Sequence, residues 1–228
     1  MIEFVNLTKY YPTRFGRYYV FRDLNFRFPD GINVGLMGLN GAGKSTLMRI
    51  MAGLSAPSRG HFRCDKTISW PVGSGAGLQG SLTPRDNARF VCRLFGLTRR
   101  EVEERVEYVE RFAEIGNFFD MPLKACSSGM RGRVAFGLSM AFDFDYYLID
   151  EAMAAGDATF RARAKATFES KIARSNVIMV SHNIKDIQEM CHNVVILHDG
   201  QATLYENVAE GLDIYMTMQK KIKQARSK

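Results

Sequence analysis

The stretch Ile32-Asn33-Val34-Gly35-Leu36-Met37, running into Gly38-Leu39-Asn40-Gly41-Ala42-Gly43-Lys44-Ser45-Thr46, decides the fold of this chain. Its first six residues read as a strand. Gly38 to Ser45 then satisfies G-x-x-x-x-G-K-[ST], the spacing of a phosphate-binding loop, in the strand-to-helix setting that the motif requires. Leu47, Ile50 and Met51 recur at helical spacing, and Gly53 is placed to close the helix. Phosphate oxygens need many donors converging in a small space. Glycines let backbone N–H groups approach, and a helix start adds a favourable dipole. On this reading Lys44 reaches the β- and γ-phosphates of a nucleotide and the Ser45 hydroxyl binds Mg²⁺.

Upstream, Leu24, Phe26 and Phe28 alternate with Asn25 and Arg27, the period of a half-buried strand, and Pro29-Asp30-Gly31 supplies a turn. The middle of the chain is helical. Thr83-Pro84 reads as an N-cap and first-turn proline for a helix through Phe95, and Thr98 with Glu101 as the capping box of a second helix. Val102, Val106, Val109 and Phe112 form that second helix's apolar stripe. From Tyr146 strands and helices alternate: Tyr146 to Ile149, a helix from about Asp157 to Arg174, Val177 to Val180, a short helix, then Val194 to Leu197. Strands separated by helices imply a parallel sheet, with the helical middle as an insertion.

Composition is that of an ordinary globular chain: 228 residues, 46% hydrophobic and 24% charged, without repeats or low-complexity tracts. No stretch approaches the roughly 18 consecutive apolar residues of a spanning helix. Cys64, Cys92, Cys126 and Cys191 form no C-x-x-C pair and no charged-then-apolar leader opens the chain, so they read as reduced thiols of an intracellular protein. Five of the seven excess positive charges lie in the last nine residues, at Lys220, Lys221, Lys223, Arg226 and Lys228. That tail reads either as a solvated frayed end or as a contact for anionic lipid or nucleic acid.

A phosphate loop acting on a nucleotide also needs an acidic strand end. Tyr146 to Ile149 ends in Asp150-Glu151, which places Asp150 in the metal shell and Glu151 where it polarises a water against the γ-phosphate. Two acids point to hydrolysis.

Cys126-Ser127-Ser128-Gly129-Met130, followed by Arg131, resembles the signature segment of the ABC ATPases. The family's usual form is Leu-Ser-Gly-Gly-Gln, so Ser127 and Gly129 match while Cys126, Ser128 and Met130 depart; Ser-Ser-Gly-Met looks like the polysaccharide exporters of the family. The resemblance implies that the helix start at Ser127, Ser128 and Gly129 binds the γ-phosphate of an ATP held by a second subunit. Gly156-Asp157 resembles the family's D-loop, and Ser181-His182 its H-loop, with His182 contacting the γ-phosphate and helping to align the water. In Leu7-Thr8-Lys9-Tyr10-Tyr11, Tyr11 resembles the aromatic that stacks on adenine; Tyr10 and Phe15 are alternatives. The implied catalytic set is Glu151, His182 and Lys44. The nucleotide-contacting set is Tyr11, Gly38, Leu39, Asn40, Gly41, Ala42, Gly43, Lys44, Ser45, Thr46, Ser127, Ser128, Gly129 and Asp157. Family members place a glutamine at a strand end ahead of the helical insertion, where Trp70-Pro71-Val72-Gly73-Ser74 stands here. Either Gln79 joins Ser45 and Asp150 in the metal shell or that shell lacks a glutamine; Trp70 reads as core packing.

Ile68-Ser69-Trp70-Pro71-Val72-Gly73, Gln79-Gly80-Ser81-Leu82-Thr83 and Gly137-Leu138-Ser139-Met140-Ala141-Phe142 resemble the ATP-binding subunits of bacterial capsular-polysaccharide exporters. That resemblance runs from the first strand to about Tyr215. It implies an α/β ABC-type P-loop NTPase with a RecA-like parallel-sheet core and an N-terminal antiparallel β subdomain. Residues 1–228 would form one ATP-binding domain, with a helical subdomain inserted at about 84–142 and a basic tail at 219–228. The implied activity is Mg²⁺-dependent ATP hydrolysis coupled to export of a lipid-linked capsular polysaccharide. The implied partners are a second ATPase subunit, two copies of a membrane-spanning permease and, indirectly, periplasmic co-polymerase and outer-membrane export proteins, with no nucleic acid. The implied place is the cytoplasmic face of the bacterial inner membrane, held peripherally. Rival readings are an O-antigen or teichoic-acid exporter ATPase, a non-transport ABC ATPase and a soluble P-loop kinase.

Overall fold

The computed structural model describes residues 1–75, 77–150, 157–181 and 183–226. The chain divides into two compact units, one made of Met1–Trp70, Phe144–Glu151 and Ser175–Lys228, the other of Pro71–Asp143 and Ala152–Arg174.

In the first unit β1 (Ile2–Thr13), β2 (Gly16–Phe28) and β4 (Arg59–Cys64) form an antiparallel sheet in the order β2-β1-β4. A second sheet gathers β3 (Val34–Gly38), β5 (Tyr146–Asp150), β6 (Asn176–Val180), β7 (Asn193–His198) and β8 (Gln201–Tyr205) in the order β5-β6-β3-β7-β8. The first four of these run parallel, as the alternation of strands and helices predicts. β8 was not foreseen: it returns antiparallel on β7 through the turn at Asp199-Gly200, and its alternating burial gives a weaker apolar signal. The expected strand over Ile32 to Met37 begins two residues later and reaches Gly38, because β3 pairs with β7 from Val34–Asn193 to Gly38–Leu197.

All five residues of β3 are buried, as a strand with neighbours on both edges requires. One core serves both sheets: Phe4, Phe21 and Phe28 join Leu36, Leu148, Ile178 and Val195, together with Leu47 and Met48 of α1 (Lys44–Met51). Burying each such side chain contributes roughly 1.5–3 kcal/mol. Leu24 and Phe28 are buried while Asn25 and Arg27 are exposed, which is the alternation read from the sequence. Trp70 packs edge-on against Phe144 with ring centres 5.5 Å apart.

α6 (Ile184–Met190) precedes β7, and α7 (Val208–Arg226) follows β8. α7 corrects the reading of the basic end as frayed: Asn207 Oδ1 accepts the N–H groups of Ala209 and Glu210, Leu212 and Tyr215 are buried, and Lys220 and Lys221 ride on the last turns. The cations had masked a good helix former.

The second unit contains α2 (Pro84–Leu94), α3 (Arg99–Ala113), α4 (Ser128–Met140) and α5 (Ala158–Ile172), with two 3-10 turns at Gly116–Asp120 and Leu123–Ala125. The caps are those expected: Thr83 Oγ1 accepts from Asp86 N–H at 3.0 Å, and Thr98 with Glu101 forms a reciprocal capping box. Val102, Val106, Val109 and Phe112 of α3 are buried. Phe112 stacks on Phe136 at 5.7 Å and meets Phe160 edge-on at 5.5 Å, while Arg163 lies over both Phe112 and Phe160 and donates to the Phe112 carbonyl.

The outer edge of β5 is occupied by Thr67 to Ser69. Tyr146 N–H donates to Thr67 O at 3.1 Å and Ser69 N–H to Tyr146 O at 2.9 Å. The wholly buried Ser69 hydroxyl accepts from Leu148 N–H at 2.9 Å and donates to Trp70 O at 2.7 Å. Replacing Ser69 by alanine strands the Leu148 amide, so urea unfolding should show a loss of about 1–3 kcal/mol; a midpoint equal to the wild type would remove Ser69 from this role.

Candidate functional site

β3 and β5 are parallel members of one sheet, and both end where ligands bind in open α/β sheets, beyond the carboxyl ends of the strands. Gly38 leaves β3 into the glycine loop, and Asp150 closes β5 opposite Val180 of β6. The two strand ends share a cleft of about 410 Å³, lined by Asn40, Lys44, Ser45, Thr46 and Asp150 together with Tyr11 and Tyr18.

The loop is built to expose its amides. α1 begins at Lys44 with Gly43 at the N-cap, and neither a side-chain cap nor an acidic residue occupies its first turn. The first N–H groups of the helix are therefore left for an anion, with the helix dipole in its favour. Gly43 sits at φ +99°, and a Cβ there would lie 2.5 Å from both the Phe21 ring and Val20 Cγ1. Gly38, at φ +153°, would bring a Cβ to 2.7 Å from the Leu197 carbonyl oxygen on β7. The loop is thus pressed onto its own sheets and admits no side chain at either position. Lys44 Nζ donates to Gly38 O at 2.7 Å and Leu39 O at 3.2 Å, which folds the ammonium back over the loop it serves.

Ser45 and Asp150 contribute a hydroxyl and a carboxylate to the same cleft, hard oxygen donors of the kind Mg²⁺ prefers. Tyr11 lies on its wall, paired across the hairpin with Tyr18. Of the alternatives, Tyr10 packs against Tyr19 beneath the Arg17 guanidinium, and Phe15 occupies the hairpin turn. Tyr18 was missed by sequence reasoning. The signal was available in principle, because a tight turn near Gly16 makes Tyr18 the cross-strand neighbour of Tyr11.

In the second unit Ser127 is the N-cap of α4, and its hydroxyl accepts from Met130 N–H at 3.2 Å. Ser127 and Ser128 are exposed and Gly129 is half-buried, so a second helix start is open to an anion. Asp157 caps α5, accepting from Phe160 N–H at 2.9 Å, and pairs with Arg133 of α4 at 2.5 Å. That ion pair was also unread in the sequence. Gln79 is exposed and tied through its backbone: its N–H donates to the buried Asn87 side chain, which returns a bond to the Gln79 carbonyl at 3.0 Å. Glu151, His182 and Gly156 lie outside the described residues.

The profile of the ABC transporter family matches residues 21–154. The polysialic acid transport ATP-binding protein KpsT of Escherichia coli is 51% identical over 216 residues, 94% of this chain and 98% of that protein. The capsule polysaccharide export ATP-binding protein CtrD of Neisseria meningitidis serogroup B is 36% identical over 218 residues, 96% of this chain and 100% of that protein. Among solved structures, a dimeric ATP-binding cassette in a post-hydrolysis state with ADP and Pi shares the fold at a TM-score of 0.70 and 22% identity, covering 90% of this chain and 98% of that one.

Two outcomes are expected. Gly43→Ala combines a disfavoured φ with a clash against Phe21, so it should abolish binding of a fluorescent nucleotide and lower stability by about 1–3 kcal/mol; binding at wild-type affinity would contradict the loop geometry. The Phe160 N–H, with Arg133 beside it, holds the Asp157 carboxyl below its usual range. The stability gained from its charge is therefore present above the ordinary carboxylate pKa and is lost as pH falls through the depressed value. The unfolding midpoints of wild type and Asp157→Asn should differ at neutral pH and converge in acid. A gap unchanged by pH would count against the charge.

Proposed function

This chain belongs to the ABC transporter family, and from that premise we propose that it is the ATP-hydrolysing subunit of an exporter of capsular polysaccharide. The observation that carries the reading is the cleft in which the phosphate loop, Asp150 and Tyr11 meet, on a chain matched almost end to end by relatives named for polysialic acid transport and capsule polysaccharide export.

The proposed chemistry follows from the parts. Tyr11 stacks on the adenine, the amides of residues 39–46 surround the β- and γ-phosphates, and Lys44 turns from its loop carbonyls toward them. Mg²⁺, when bound between Ser45 and Asp150, would neutralise phosphate charge. Glu151 orients the attacking water by accepting its proton, and His182 aligns it against the γ-phosphate. Ser127, Ser128 and Gly129 offer the open start of α4 to the γ-phosphate held by a second copy, and Asp157 lies at the same seam. Two chains then enclose two nucleotides. Binding closes the pair, hydrolysis reopens it, and the motion is passed to a separate membrane subunit. Among the described residues no helix is long and apolar enough to cross a membrane, so the passage itself would belong to that partner. We place the subunit peripherally at the cytoplasmic face of the bacterial inner membrane, with a lipid-linked glycan as cargo.

Glu151→Gln tests the hydrolytic half. ATP affinity should stay within about twofold while phosphate release falls by roughly 10²–10⁴, and gel filtration with Mg-ATP should show trapped dimers. Turnover at the wild-type rate would dismiss Glu151 as the base, and a chain that stays monomeric would dismiss the shared site. Transfer of phosphate to an acceptor other than water would instead point to a kinase.

A further inference from the structure

The outer part of the β1–β2 ribbon differs from the rest of its sheet. β4 pairs with β1 only as far as Thr8, whereas β1 and β2 remain paired out to Thr13 and Gly16. Beyond Thr8 the ribbon is two strands wide, and residues 11–18 are all exposed. A ribbon of two strands is marginal alone. Its turn is held by Thr13 Oγ1, which donates to Gly16 O at 2.9 Å and accepts from Phe15 N–H at 3.3 Å. Its flanks are held by Arg17 lying 4.6 Å over Tyr10 and Arg22 lying 3.8 Å over Tyr19.

Two observations about this ribbon are independent of the nucleotide cleft. Phe15, at the turn, is fully exposed at 101%, and neither Phe15, Arg14 nor Arg17 lines the cleft. From Phe4 to Arg22 the chain carries Lys9, Arg14, Arg17 and Arg22 and no acid. We propose that the tip of this hairpin is a membrane-contact element, in which Phe15 enters the interface of an anionic bilayer while Arg14 and Arg17 pair with lipid phosphates.

The chemistry selects the bilayer over other polyanions. A hydrated polymer, whether glycan or nucleic acid, answers the arginines but leaves the wholly apolar Phe15 ring in water. The interfacial zone of a membrane answers both, since aromatic rings settle at headgroup depth and basic side chains gain from the anionic surface. A guanidinium also meets a phosphate with two parallel hydrogen bonds. A protein partner needs roughly 800 Å² on each side, and a two-residue turn presents a point rather than a patch. The contact requires no ATP hydrolysis, so its test is independent of the function proposed above.

The test is cosedimentation of the full chain with phosphatidylcholine vesicles, with and without phosphatidylglycerol. Binding should appear only with the anionic lipid, and Phe15→Ser and Arg14→Glu should each weaken it by about fivefold or more. Phe15→Trp should show a blue shift in emission on adding anionic vesicles, with the unsubstituted chain as the blank for Trp70. Equal binding to both vesicle types, or no shift at Trp in position 15, overturns the proposal. So does binding that survives both tip variants but is lost on truncation after Gln219, which would move the contact to the basic end of α7. Retention on soluble polyphosphate without any vesicle binding overturns it as well.

Discussion

The constraint on which the rest of this molecule depends is a helix left without a cap. Ser, Thr, Asp or Asn ordinarily satisfies the first amides of a helix, as Thr83, Thr98, Ser127 and Asp157 do for α2 to α5. α1 has Gly43 instead, and its first-turn donors stay unclaimed by any cap side chain. Keeping them available requires the loop to lie flat on a rigid support, which the close approach of Gly43 to Phe21 and of Gly38 to Leu197 provides. Both supports belong to the same buried core. Binding capacity in the loop therefore rests on packing several residues away from any phosphate.

The helix starts in the two units are chemically different. α1 is uncapped, α4 carries a neutral serine hydroxyl, and α5 carries a carboxylate held by Phe160 N–H and Arg133. The first two starts carry no acid of their own and leave the helix dipole to an incoming anion, whereas the third already holds a carboxylate, paired with Arg133. The three junctions thus differ through one capping residue each.

Much of this was legible in the sequence because local rules and burial agreed. The glycine loop, the capping residues and the apolar runs of β5, β6 and β7 each carry a signal within a few positions. What escaped lacks such a signal. β8 alternates exposed and half-buried residues without one buried apolar side chain, and α7 was hidden by its lysines. Tyr18 entered the cleft, and Arg133 met Asp157, only through chain pairings 7 and 24 residues apart in sequence. Contacts of that separation follow from register and packing, which composition does not encode. Of the expected catalytic set Glu151, His182 and Lys44, only Lys44 lies among the described residues.

The hydrogen bonds from Tyr146 and Leu148 to Thr67 and Ser69 have a meaning beyond the strength they lend to one strand. An unpaired sheet margin invites other chains to add on as further strands. Here the margin at Tyr146 to Leu148 is already taken by a piece of the same polypeptide, with a buried hydroxyl accepting from the Leu148 amide. Copies of this subunit are thereby discouraged from zipping together backbone to backbone along β5. Backbone pairing along that margin is replaced by contacts within one chain.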